Sequence, residues 1–550
     1  MDRQKEFSNP ILPGFYPDPS ICRAGDAYYI VNSSFYYYPG LPVSKSYDLV
    51  HWRQIGNAIS RPGQLDFRNC DSSEGLWAAT IRYHNGLFYI VDTLDVNGRA
   101  NRYNFIITAQ NPEGPWSDAV IIEGADGIDP SLYFDEDGRM WFCANHIPEN
   151  VKYPTHKQIY TAQLDPDTFQ IIGNKHVIYD GITDRSMFME GPHVYHIGKK
   201  YFLLTACGGT QTNHCVNFYR SDKLLGPYEP CPRNPVVSNR NLRLLNATGV
   251  SVTGHGDLVC TPDGQYYMTL LGIRPYDKDI SEYEKEITRK WIRRPDRNKY
   301  AQYNLGRETF LLPMAFDYDD WPVVDNENGL VNLKERMPDL PEHPLPFQTR
   351  VDNFESAVLD CHWCMRRPPE REIFSLTQRP GYLRLHTLPG TAESRGESAI
   401  IVRRQQHYYF QAACAMEFKP AYDGEEAGII VTQNENYSYL LVKCRCDGRD
   451  RIECIRIQQG VRTVLADAAA PQGRIYLTVE GRRGDYSFFY GDEEHTMISL
   501  GDHEDGALLS TLVADGYLGT MIGMYASAGH RKSNNAADFD WFRYENTEER

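Results

Sequence analysis

A turn-then-strand unit recurs five times before residue 270. The copies are Gly25-Asp26-Ala27-Tyr28-Tyr29, Asn85-Gly86-Leu87-Phe88-Tyr89, Asp137-Gly138-Arg139-Met140-Trp141, Gly198-Lys199-Lys200-Tyr201-Phe202 and Asp263-Gly264-Gln265-Tyr266-Tyr267. Aligned on Tyr29, Tyr89, Trp141, Phe202 and Tyr267, they step by 60, 52, 61 and 65 residues. A polar or glycine turn leading into an aromatic and β-branched run reads as a strand. Further turns follow the first four copies, at Ser46-Tyr47-Asp48, Asn111-Pro112-Glu113-Gly114, Asp165-Pro166-Asp167 and Leu225-Gly226-Pro227. A repeating all-β unit of this length predicts a blade, and five copies predict a five-bladed β-propeller. Strand character throughout excludes a helical solenoid.

The repeat also places one distinctive residue ahead of each hairpin. Asp18 lies 11 residues before Tyr29, while Trp77, Asp129, Glu190 and His255 each lie 12 before their own anchors. Equivalent positions in radial blades lie at one depth around one axis. Packing does not explain carboxylates at three of five such positions, because a buried unpaired acid is costly. Asp18 stands between Pro17 and Pro19, which hold it on a stiff, non-helical segment. Glycoside hydrolysis needs two carboxyl groups in different protonation states. A third can orient the acid and hold its pKa up. Asp18, Asp129 and Glu190 supply the three, and the longer Glu190 side chain is the natural proton donor.

Residues 275–304 interrupt the fifth unit, and the spacing of Tyr283, Ile287 and Trp291 predicts a short helix over 281–292. Pro338, Pro341, Pro344 and Pro346 mark a linker. Strand patterns without the repeat then resume and read as a β-sandwich. The expected organisation is all-β: a propeller over 1–334, a linker over 335–348 and a sandwich over 349–550.

A net charge of −16 argues against nucleic acid or an anionic membrane surface as partner, and favours a neutral or cationic ligand. No apolar run reaches the ~18 residues that span a membrane. The charged N-terminus lacks a signal-peptide pattern, so a cytoplasmic location is expected. Thirteen cysteines, an odd number, suit free thiols. Cys361-His362-Trp363-Cys364 has no second pair to complete a zinc site, so no metal ligands are expected.

The motifs resemble those of glycoside hydrolase family 43, in its β-xylosidase and α-L-arabinofuranosidase branch with an appended concanavalin-like sandwich. Asn9 to Ile21, around Asp18, is similar to its general-base motif. Gly127-Ile128-Asp129-Pro130-Ser131 is similar to that of its pKa-modulating aspartate, and Met189-Glu190-Gly191-Pro192-His193 to its general-acid motif. The resemblance extends to Gly254-His255-Gly256-Asp257 and Leu305-Gly306-Arg307-Glu308, then to Arg403-Arg404-Gln405-Gln406-His407 and Gly424-Glu425-Glu426-Ala427-Gly428. It implies hydrolysis with inversion: Asp18 as base, Glu190 as acid, Asp129 as modulator. It implies that Arg307 contacts sugar hydroxyls, that His255 lies near the axis, and that Phe35, Trp77 and Thr210 line the terminal-sugar subsite. The tyrosine-rich run from Phe35 to Gly40 departs from the family pattern at that subsite. No cofactor is required, although some members hold calcium near the equivalent histidine. A sandwich loop, here 526–535, helps close the pocket in related xylosidases. The implied substrates are xylo- or arabino-oligosaccharides cut at their ends, and paired sandwich faces would make a homo-oligomer. Activity on arabinofuranosides alone, a non-catalytic sugar-binding propeller and a retaining fructan-cleaving propeller are the alternatives.

Overall fold

The computed structural model describes residues 5–98, 101–211, 213–240, 249–276, 302–345 and 349–548. The chain divides into two compact units, Met1–Arg274 with Arg307–Phe347, and Pro275–Gly306 with Gln348–Arg550.

The first unit is built from five four-stranded antiparallel sheets taken in chain order. Blade one comprises Ser20–Ala24, Ala27–Val31, Gly40–Ser46 and Arg53–Ile59; blade two comprises Gly75–His84, Leu87–Val96, Asn101–Ala109 and Val120–Ile121. Blade three comprises Ser131–Phe134, Met140–His146, Gln158–Leu164 and Ile171–Tyr179; blade four comprises Glu190–Ile197, Lys200–Cys207, Cys215–Ser221 and Glu229–Pro230. Blade five comprises Ser251–Cys260, Tyr266–Ile273, Glu308–Phe316 and Pro322–Val324. Glu6–Ser8 pairs with Lys334–Arg336, tying the start of the unit to its end. The aromatic-rich strands supply the cores between blades. Phe142 and Tyr160 of blade three pack with Val91 and Ile106 of blade two, and Phe310 and Met268 of blade five with Phe218 and Leu204 of blade four.

Each repeat anchor lies on the second strand of its blade. Tyr29, Tyr89, Trp141, Phe202 and Tyr267 pair with Cys22, Arg82, Tyr133, Tyr195 and Val259 on the innermost strands. Two residues earlier on those innermost strands stand Ser20, Thr80, Ser131, His193 and Asp257, each at most 3% exposed. These polar groups bind blade to blade. Thr80 Oγ1 donates to Pro130 O at 2.8 Å, Ser131 Oγ to Pro192 O at 2.5 Å, and Ser20 Oγ to Asp257 Oδ2 at 2.6 Å. Asp257 is the hub. It also accepts both Arg82 guanidinium nitrogens, at 2.7 and 3.1 Å, and the Tyr195 hydroxyl at 2.6 Å. Four of the five blades thus meet on one buried carboxylate. Burial, the largest influence, would raise its pKa, but Arg82, His193 and Ser20 together outweigh it and hold the carboxyl well below the usual aspartate range. Removing one partner of a buried ion pair costs about 3–5 kcal/mol, because the other charge is left unmatched. Arg82→Ala should lose that much in urea unfolding; a loss below ~1 kcal/mol, the worth of an exposed pair, would contradict the hub role.

The residue two positions before each member of this polar ring has left-handed backbone: Asp18 at φ 50°, Ala78 at 41°, Asp129 at 54°, Gly191 at 53° and His255 at 50°. Non-glycine residues adopt this region rarely, and mostly where the surroundings over-determine it. Here it is the shared inner turn of all five blades. It corrects the alignment expected from sequence. Trp77 and Glu190 each stand one residue before the equivalent position, which is held by Ala78 and Gly191. The cause is hairpin length. Blades one, two and four close with two-residue turns, whereas blades three and five use the longer turns after Phe134 and Cys260.

The second unit is a β-sandwich. One sheet contains, in spatial order, Phe374–Ser375, Leu383–His386, Ala536–Asn546, Tyr409–Glu417, Arg474–Arg482, Asp485–Glu493 and Thr496–Asp505, with Val351–Asp352 pairing beside Ala536–Asn546. The other contains Ala399–Arg404, Met521–Ser527, Glu426–Asn434, Tyr437–Cys446, Arg449–Gln458 and Val461–Ala469. Of the segment that interrupts the fifth blade, the described residues 275–276 and 302–306 belong with this unit. The reason lies in polar contacts: Asn304 Nδ2 donates to the Tyr486 hydroxyl at 3.2 Å and to Gly506 O at 2.9 Å. The helix expected over 281–292 lies outside the described residues. The proline-rich segment does not run as a bare spacer, since Met337 N donates to Lys5 O at 2.9 Å and His343 N to Asp48 Oδ2 at 2.8 Å. All thirteen cysteines are free thiols.

Candidate active site

Asp18 reaches the axis on a segment tied down from two sides. Asn32 Nδ2 donates to Tyr16 O at 3.1 Å and Pro17 O at 3.0 Å, while Thr309 Oγ1 of blade five donates to Tyr16 O at 2.7 Å. The carboxylate is 5% exposed and fully engaged. Ser33 Oγ donates to Oδ2 at 2.7 Å and Arg307 Nη1 to Oδ1 at 2.9 Å. His255 Nδ1 lies 3.7 Å from Oδ1. Burial alone would raise the Asp18 pKa; Arg307 first, then His255 and Ser33, outweigh it and hold the carboxyl below the ordinary aspartate value. Asp18 is therefore an ionised carboxylate at neutral pH.

Asp129 and Glu190 behave oppositely. Asp129 is 7% exposed and follows Ile128 at the inner edge of blade three. Burial, then the Glu190 charge, push it up to about 7. Glu190 opens the innermost strand of blade four. Burial pushes it up to about 7 as well, against the Lys157 ammonium and with the Asp18 charge. Two such interacting acids titrate as a pair and share a proton through neutral pH. One fold thus keeps one carboxylate charged and a nearby pair singly protonated, the separation of roles that acid–base hydrolysis requires.

Gly191 lets this edge approach the axis. A Cβ there would stand 2.9 Å from His255 Nε2. Gly254 does the same for His214, whose ring would lie 2.4 Å from an added Cβ. His214 is buried, and burial followed by the His255 charge lowers it to about 3, so it is neutral. Phe35 is 3% exposed, exchanges backbone hydrogen bonds with Leu76 at 3.0 and 3.1 Å, and lies 5.7 Å beneath the Arg307 guanidinium. Trp77 is half-buried, with its indole N–H on Ser73 O at 3.1 Å and the Arg102 guanidinium 4.9 Å over its ring. Thr210 is partly exposed on the turn after Cys207. The structure thus brings Asp18, Asp129, Glu190, His255, Arg307 and Phe35 to one locus. Calcium beside His255 finds no built cage: among the described residues no three His, Cys, Asp or Glu converge as cation ligands. The neighbouring carboxylate, Asp18, is already taken by Arg307 and Ser33.

The sequence reading missed Ser33, His214 and Asp92. Ser33 bridges two blades, since it also accepts from Ala78 N at 2.6 Å. Asp92 stands on the second strand of blade two, the blade whose ring position is the small Ala78. It is fully buried, and neither carboxyl oxygen has a donor in hydrogen-bonding geometry among the described residues. Burial, with the Asp129 and Asp18 charges, raises it well above the usual value, and the Thr93 amide offsets this only in part. Unfolded Asp92 ionises near pH 4 while the folded group stays protonated. Its effect on stability is therefore absent below about pH 4. Stability then falls by about 1.4 kcal/mol per pH unit until the folded group ionises. Asp92→Asn removes that fall. Urea unfolding should show the variant gaining on the parent from pH 4 to pH 7; a gap that stays constant would contradict a buried neutral Asp92.

Residues 7–322 match the model for glycosyl hydrolases family 43, and residues 351–545 match the β-xylosidase C-terminal concanavalin A-like domain. The chain is 36% identical over 544 residues to a non-reducing end α-L-arabinofuranosidase of Bacteroides ovatus, covering 98% of this chain and 95% of that protein. It is 35% identical over 545 residues to a xylosidase/arabinosidase of Butyrivibrio fibrisolvens, covering 98% and 99%. Among solved structures, a xylan β-1,4-xylosidase of Bacillus halodurans superposes with a TM-score of 0.88 at 30% identity, over 98% of this chain and 100% of that one. With both halves matched in order and the acid trio standing on the blade edges, the chain belongs to glycosyl hydrolase family 43.

Proposed function

We propose that the protein is an exo-acting, inverting glycosidase that releases terminal β-D-xylose or α-L-arabinofuranose from hemicellulose-derived oligosaccharides. The observation that carries this is the split in charge state between Asp18 and the Asp129/Glu190 pair. Ionised Asp18 takes a proton from the attacking water. Glu190 gives its proton to the departing glycosidic oxygen, and the new C–O bond forms on the face opposite the one that breaks. Asp129 and Glu190 hold a single proton between them at neutral pH, which Glu190 delivers to the leaving oxygen. Arg307, held against Asp18, is the group that would contact sugar hydroxyls. Phe35 offers an apolar wall to the ring. The relatives' names, xylosidase, arabinosidase and arabinofuranosidase, support the choice of pentose and of the chain end.

Parallel rates on nitrophenyl β-D-xyloside and nitrophenyl α-L-arabinofuranoside test the reading. Hydrolysis of one or both is expected. Inactivity on both, with cleavage of sucrose or fructan instead, would overturn it.

A further inference from the structure

The outer face of the sheet that contains Tyr409–Glu417 carries a roofed cleft, remote in sequence from every residue of the acid trio. Across four neighbouring strands, register aligns Arg543, Ala413, Thr478 and Phe489 in one row. Ala413 and Thr478 are 2% and 8% exposed and form the floor. The next row is Glu545, Gln411 and Glu480, with Gln411 Nε2 donating to Glu480 Oε1 at 2.9 Å. Strand alternation sends the intervening Phe410, Ala412 and Cys414 into the sandwich core instead. The turn after Glu493 then arches over this face. Arg543 Nη1 donates to Glu494 Oε1 at 2.9 Å, although two strands lie between their own. At the usual strand spacing that is about 14 Å of sheet. Gly491 permits the arch, because a Cβ there would stand 2.4 Å from Thr496 O. The open-sided cleft holds about 460 Å³.

The lining selects a ligand class. Glu480, Glu494 and Glu545 outnumber the basic Arg543 and His495, which disfavours an anion. Carboxylate, amide and hydroxyl groups alternate with the flat Phe489 ring and the Met497 side chain. In the adjoining row Trp541 lies beneath the Arg543 guanidinium at 5.0 Å and 6.2 Å from Tyr476. Convergent hydroxyl partners beside apolar ring faces suit a neutral polyhydroxylated ligand. We infer that this cleft is a second, non-catalytic binding site for a neutral oligosaccharide. That its sugars are the pentoses of the substrate rests on the active-site reading above.

Calorimetric titration of the full-length Glu190→Gln variant with xylotetraose and with arabinotetraose tests it. Two binding sites are expected for at least one of these sugars, and one site for both would overturn the inference. Adding Ala413→Trp fills the floor and should remove one of the two sites while leaving the other. If that substitution impairs folding, Glu480→Ala in the same background should weaken one site about tenfold, the effect of one lost hydrogen-bonding partner. Two unaltered sites in either double variant would overturn the assignment to this cleft. Failure of the active-site reading shows separately, as inactivity of the parent chain on both nitrophenyl pentosides.

Discussion

Asp18→Asn is expected to remove hydrolysis of every substrate by about four orders of magnitude, the upper end of what a positioned base contributes. Asparagine keeps the size of the side chain and can still accept from Arg307 through its one carbonyl oxygen, while its amide NH2 would face the Ser33 hydroxyl. What it loses is the charge that accepts the water proton. The loss should be the same for good and poor leaving groups, because base assistance acts on the nucleophile. It should fall in kcat, with KM little changed. A variant that keeps a tenth of parental activity on nitrophenyl pentosides would contradict the role of Asp18.

Glu190→Ala should discriminate between substrates where Asp18→Asn does not. On xylobiose, whose leaving group is a sugar alcohol, the loss should be about 10³- to 10⁴-fold. On an aryl pentoside with a good leaving group it should be about tenfold or less, because the departing phenolate needs little protonation. The pH profile carries a second signature. The parent needs a proton on the Asp129/Glu190 pair, so activity should fall as pH rises through about 7. It also needs Asp18 ionised, so the acid limb should lie below the ordinary aspartate value. Glu190→Ala should lose the alkaline limb and keep the acid one. Equal losses on both substrates, with an unchanged alkaline limb, would move the acid role elsewhere.

Much of this architecture was legible in the chain because a propeller writes its geometry as a period. The anchors Tyr29, Tyr89, Trp141, Phe202 and Tyr267 fall at one register of one strand, so counting back from them lands near the axis. Counting failed by one residue at Trp77 and Glu190, since hairpins of two lengths join the strands. The polar ring of Ser20, Thr80, Ser131, His193 and Asp257 has the same period, but its residue types differ from blade to blade. Only register shows that they are equivalent. Ser33, His214 and Asp92 had no such signal. They enter from other strands and connections, where nothing local marks a serine, histidine or aspartate as facing the axis. In the sandwich, alternation showed strands but not which neighbours they take. The cleft under the Glu494 turn depends on that order, with Ala413 made a floor only by the larger side chains on either side.

On the proposed mechanism water attacks from the Asp18 side while Glu190 protonates the opposite face. Proton NMR of the first product formed from nitrophenyl β-D-xyloside, read before mutarotation, tests it most directly. α-D-Xylose is expected first, with the β anomer growing in later. Initial β-D-xylose would mean retention, and would make a carboxylate of this site a nucleophile rather than a base.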